Sequence, residues 1–211
     1  MTESVQSAEG TAPSKEGQDL GQRIVDVTVV LAEEVGWDSV RLREVAARLG
    51  ISLSELQSLH RDLDAVADAW FARAWQAMLA PEPENFTAMP ADARLHLMVM
   101  RWFDAMAPHR EVTCQMLTGK LHPSHPHHWV PMIFNLSRTI HWLRDAAILD
   151  AGGRRRQIEE IGLTVLFLAT LSVWQRDRTP DQERTRTFLR RRLAEADRVM
   201  VRFWGKHPPS G

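Results

Sequence analysis

Tyrosine is absent from the 211 residues, and cysteine occurs once, as Cys114. A single thiol excludes a disulfide within the chain and makes a reducing, cytoplasmic setting the expectation. Cys114 itself reads as a small buried apolar side chain. The lack of tyrosine removes phenolic hydroxyls from any binding surface and leaves eight tryptophans and seven phenylalanines to supply aromatic area. Net charge is −1, so the overall balance selects no polyanionic partner. No apolar run reaches the roughly 18 residues of a membrane span. Residues 161–174 come nearest and read as a buried helix. A glycine-rich phosphate loop, a His-Glu-x-x-His helix and a nucleophile elbow are missing too, so nothing points to an enzyme or a cofactor.

What is present is helical. Residues 1–19 are poor in apolar side chains and read as a disordered arm without the features of a signal peptide. In residues 20–35, Ile24, Val27, Leu31 and Val35 form one stripe, and Gly36 ends that helix. A second helix over 41–49 turns Leu42, Val45, Ala46 and Leu49 inward. Gly50 allows a turn, and Ser52 with Glu55 forms a capping box for a third helix over 52–60. Asp62 caps a fourth over 63–80, with Val66, Trp70, Ala74 and Leu79 toward the core. Prolines at 81, 83 and 90 break the chain. Further helices are predicted at 91–107, 110–119, 129–150, 155–176 and 181–204. The expected fold class is all-α: an arm (1–19), a helix-turn-helix domain (20–66), a helical ligand-binding and dimerisation domain (67–204) and a tail (205–211).

Two short helices joined by a glycine turn can place the second in the DNA major groove. The candidate DNA contacts are Arg41, Arg43, Ser52, Ser54, Gln57 and Arg61, with Glu55, Ser58 and His60 as further possible readers. Gln57 suits adenine and the arginines suit phosphates. The order of helices, with Gly36, Leu42, Val45, Ala46, Gly50, Ile51, Ser52 and Leu56, resembles the TetR family of ligand-responsive repressors. The resemblance implies three partners: operator DNA, an apolar small molecule in the body, and a second copy of the chain packed through the last two long helices. Where that family carries a tyrosine, a histidine–phenylalanine pair and a lysine, this chain has Gln57, Leu59-His60 and Leu63. Residues 20–80 hold six arginines and no lysine against nine acids, net −3. Two readings therefore stand, an operator-binding head and a helix-turn-helix that has lost that role.

The body is rich in methionine and tryptophan. Trp70, Met78, Met98, Trp102, Met106, Met116 and Trp142 are the candidates to line an apolar cavity, with a filled core as the alternative. Trp142-Leu143-Arg144-Asp145, Ala151-Gly152-Gly153, Trp174-Gln175-Arg176-Asp177 and Thr185-Arg186-Thr187-Phe188-Leu189-Arg190-Arg191-Arg192-Leu193 resemble the ubiquinone-biosynthesis accessory family of lipid-binding proteins. This second resemblance is carried mainly by the C-terminal part, with the Gly36-Trp37 pair also familiar in that family, and it implies a TetR-type fold that holds an isoprenoid lipid instead of DNA. Residues 181–206 carry eight basic and four acidic side chains beside an apolar stripe that includes Leu189, Val199 and Phe203. Such a helix either lies on an anionic membrane or packs against the body or a second subunit. The histidines of 122–128 form the one dense group of metal-ligand side chains. Two prolines stiffen that group, and it reads as surface decoration, with a bound metal as its alternative.

Overall fold

Two left-handed glycines set the corners of the N-terminal helices. The computed structural model describes residues 15–121 and 129–205, and among these every regular element is helical. Contacts divide the chain into residues 1–69 and 70–211.

In the first unit, α1 (Lys15–Val35) buries Ile24, Val25, Thr28, Val29, Leu31 and Ala32. It begins inside the stretch expected to be an arm, because polar residues on an exposed helical face extend a turn that the packed residues have already nucleated; residues 1–14 lie outside the described residues. Val35, expected in the stripe, is exposed. Gly36 (φ 83°) turns the chain into a single 3-10 turn, and the buried Trp37 and Val40 fill the corner. α2 (Leu42–Leu49) buries Val45 and Ala46 and ends at Gly50 (φ 67°, ψ 30°), whose N–H bonds back to the last turn. A side chain with Cβ is strained in that left-handed conformation. α3 (Leu53–Leu59) opens with the expected capping box: Ser52 Oγ accepts from the Glu55 N–H at 3.1 Å, and the Ser52 N–H donates to Glu55 Oε2 at 2.9 Å. Leu56 anchors α3 in the core. Arg48 ties α2 to α1 through both oxygens of Glu34, at 2.9 and 2.5 Å.

α4 (Leu63–Met78) starts at Asp62, whose Oδ1 accepts from the Ala65 N–H, and the unit boundary falls within it after Ala69. Met78, not Leu79, takes the buried position at its end.

The second unit is built on α5 (Ala91–Met106), which buries eight residues. Around it lie α6 (Arg110–Leu121), α7 (Trp129–Ala146), α8 (Gly153–Arg176) and α9 (Glu183–Trp204). α5 packs on α7 and α9, and α8 packs on α6, α7 and α9. Trp102, Phe103, Phe167 and Trp174 form one aromatic cluster with centroids 5.1–5.6 Å apart. Two buried arginines hold the α7–α8 connection, where Ile148 takes a positive φ of 55°. Arg94 donates to the carbonyls of Ala147, Ile148 and Met89. Arg144 donates to those of Leu149 and Ala151 and pairs with Glu159 at 3.1 Å. These bonds end α7 at Ala146, earlier than the expected 150.

Candidate functional site

In the N-terminal unit the outward face of α3 carries Leu53, Ser54 and Gln57, all exposed. Helical spacing puts Leu53 and Gln57 on neighbouring turns, with Ser54 beside them and Arg61 just past the end. The side chains of Ser54 and Gln57 have no hydrogen-bond partner among the described residues. Ser52 is not: its hydroxyl donates to Glu55 Oε2 at 2.8 Å while accepting the Glu55 N–H. The backbone and hydroxyl bonds from Ser52 hold the Glu55 carboxyl below its ordinary pKa, so α3 keeps a negative charge at its start. Arg41 folds back to donate to the carbonyls of Asp38 and Val40. Arg61 pairs with Asp62 at 3.0 Å, and Arg43 approaches Glu44 at 3.8 Å while its side chain stays 74% exposed. His60 faces inward and bonds the Gly21 carbonyl through Nε2, so it braces α3 on α1 and shows nothing to a partner. Leu53, which was not expected on this face, is 54% exposed. It sits one turn before Gln57, and that spacing was visible in the sequence.

Of the seven residues expected around an apolar cavity, Trp70, Met78, Met98, Trp102, Met106 and Met116 are buried and Trp142 is exposed. Trp70 donates to Thr113 Oγ1 at 3.0 Å and meets the His109 ring edge-on, while Trp102 belongs to the aromatic cluster. None of the seven lines either of two open volumes in this unit. One is a cleft of about 420 Å³ between α5 and α9. The other is a groove of about 630 Å³ between α5, α8 and α9, floored by Leu95, Leu163, Leu166, Phe188 and Met200 and edged by Arg155, Glu159, Arg192 and Glu195.

Along this groove runs a row of exposed apolar side chains, Ile158, Ile161, Val165 and Leu168 on α8 and Val199 and Phe203 on α9, of which Ile158, Val165 and Val199 also line the groove. The opposite side of α8 buries Leu163, Phe167, Thr170 and Trp174. Apolar residues on both sides explain why the 153–174 helix, which holds an 18-residue window of mean hydropathy 1.3, is long and apolar enough to cross a membrane by length and composition. The α8–α9 turn is held by Asp177. Its Oδ1 accepts from the N–H and hydroxyl of Thr179, and its Oδ2 from the N–H and hydroxyl of Thr185. Burial opposes the charge, yet the four hydrogen bonds outweigh it and lower the carboxyl pKa to about 2. The Arg110 guanidinium donates to the Asp177 carbonyl, and Gln182 accepts from Trp174 Nε1 at 2.5 Å.

The crystal structure of the TetR transcriptional regulator from Nitrosomonas europaea ATCC 19718 matches with a TM-score of 0.76 and 40% identity, over 84% of this chain and 98% of that one. The chain belongs to the TetR family. A COQ9 family profile matches residues 160–200. In this TetR chain that segment is most of the α8–α9 hairpin, with the Asp177 turn, the groove floor except Leu95, and most of the exposed row inside it. No curated protein matches the chain. The histidines of 122–128 lie outside the described residues.

Proposed function

We propose that the protein is a homodimeric, cytoplasmic DNA-binding regulator and not an enzyme, with the α3 face reading an operator and the helical body binding an apolar molecule. The observation that carries this reading is the braced α3: its cap, its Leu56 anchor and the His60 bond fix it on α1, and its outer face is left to Leu53, Ser54 and Gln57. The exposed row on α8 and α9 supports pairing with a second copy, since a two-fold axis would lay the same apolar face of each chain on the other. An apolar ligand in the adjoining groove would favour one dimer geometry over another, which is how binding could release DNA. The test is selection from random genomic fragments, followed by binding curves at two salt concentrations. A recovered palindrome bound far above bulk DNA is expected, with Gln57→Ala relaxing base preference and Arg43→Ala weakening all sequences and flattening the salt slope. Equal binding of every sequence would overturn it.

A second reading is favoured by the COQ9 match, because it falls on the groove and the exposed row. In that reading the hairpin holds an isoprenoid lipid, or lies on a membrane through α9, and the head is a fold relic. Removing residues 181–211 would strip Leu189 and Leu193 from the core, so it cannot separate the two. Phe203→Glu can. It abolishes dimer and operator binding in the first reading, and binding to vesicles carrying a polyisoprenoid quinone in the second.

A further inference from the structure

We propose that the cleft between α5 and α9 binds a small amphiphilic carboxylate, with its head at Arg186 and Arg190 and its hydrocarbon along α5. This goes beyond the regulator reading, for it requires neither DNA nor a dimer. The cleft is lined on α5 by Ala93, Leu97 and Met100, which follow at helical spacing and form an apolar wall. Arg101 on α5 and Arg186 and Arg190 on α9 line it as well, with Arg186 held one helical turn from Arg101 by its bond to Asp104.

The charges do not cancel. Arg101 spends its guanidinium on the neutral carbonyls of Ala80 and Pro81, at 2.9 and 3.1 Å, so its positive charge stays uncompensated. Arg186 gives Nη2 to Asp104 at 2.6 Å and Nε to the Asp181 carbonyl, leaving Nη1 open. Arg190 is exposed and has no hydrogen bond or ion pair among the described residues. Only two acids line the cleft. Asp104 is taken by Arg186 and Gln182, and Asp92 accepts the Ala93 N–H and keeps its charge, so three arginines face two carboxylates and the lining stays net positive. A planar guanidinium with open N–H groups matches a carboxylate fork. The volume and the apolar wall suit a ligand with a hydrocarbon part better than a bare ion.

His96 reports on this field. Its Nε2 bonds the Arg186 carbonyl, so that nitrogen carries the hydrogen. Burial pushes its pKa below the ordinary value; the carbonyl bond opposes this, the charges of Arg190 and Arg186 add to it, and Asp104 counters them. An anion seated at the two arginines would relieve that repulsion and raise the His96 pKa. On α9, Arg186, Arg190 and Leu193 lie on one side, while Val199 and Phe203 of the exposed row lie on the other, so pairing through the row leaves the cleft open.

The experiment is calorimetric titration of the full chain with octanoate, octanol and inorganic phosphate, with the His96 imidazole followed by NMR. Octanoate is expected to bind at one site, octanol and phosphate at least about tenfold more weakly, and the His96 pKa to rise on saturation. Arg190→Gln, at an exposed position that leaves folding intact, should weaken octanoate about tenfold. Val165→Glu in the α8 row should leave it unchanged. Octanol or phosphate binding as tightly as octanoate, an unaffected Arg190→Gln protein, an unmoved His96, loss of binding in Val165→Glu, or no binding at all would each overturn the proposal.

Discussion

The outer face of α3 shows one apolar side chain, Leu53, among polar ones, whereas α8 shows four in a row and α9 continues the row with two more. The first surface is at ease in water and loses little by waiting for a polar partner. The second is not, since each half-exposed aliphatic or aromatic side chain is worth roughly 1 kcal/mol if covered. Two copies would bring twelve such side chains together, a gain of roughly 10 kcal/mol against an association cost of roughly 4–15 kcal/mol. The balance is close enough that one charge in the row should decide it.

The sharpest way to break this comparison is to loosen the body alone. Arg144→Ala frees the Leu149 and Ala151 carbonyls and leaves Glu159 with Arg155 as its remaining partner, so it should cost about 3 kcal/mol. Hydrogen exchange should show that loss in residues 70–205 and leave α1–α3 protected; equal loosening of both would refute the independence of the two regions.

Phe203→Glu comes next, since it removes an apolar contact and buries a charge twice in a two-fold pair. Sedimentation should show a shift to monomer of about 30-fold or more in the dissociation constant, about 2 kcal/mol. A monomeric wild type would show instead that no second copy covers the row.

Asp177 tests the body by pH. Its carboxyl titrates near 3.8 in the unfolded chain and at about 2 in the folded one. A depressed folded value means the stabilisation is complete above the unfolded value and is lost as pH falls through the folded one. Asp177→Asn should therefore cost about 2 kcal/mol at neutral pH, and the gap from wild type should close toward pH 2. Urea melts at both pH values measure it, and a gap that persists at low pH would assign the cost to packing.

The smallest effect is expected in the head. Ser52→Ala removes the cap and should cost about 1 kcal/mol. Thermal unfolding followed at Trp37 should move while the transition of the body does not.

The helices of the head were legible because their signals are local. Gly36, Gly50, the Ser52–Glu55 box and the Asp62 cap each act over three or four residues, and the structure shows each one formed. The roles of α3's side chains were less legible. Ser52 spends its hydroxyl on its own helix, and His60 turns inward to a carbonyl 39 positions earlier. The body was legible as helices but not as surfaces. Arg94 and Arg144 look like solvated charges until the 147–151 loop folds over them. The two sides of α8 are equally apolar in the sequence, and only packing tells which one is covered.

By itself, then, the amino-acid sequence determined an all-α chain with a helix-turn-helix at its start and a TetR resemblance. Periodicity, capping and glycine turns are properties of neighbours along the chain. The tertiary structure alone decided which apolar face is left uncovered, that the Asp177 carboxylate gathers Thr179 and Thr185 at one turn, and that Arg101, Arg186 and Arg190 meet across a single cleft. Burial and electrostatic field depend on residues brought together from far apart in the chain, as Asp104 and Arg186 are across 82 positions, and no local pattern encodes such a meeting.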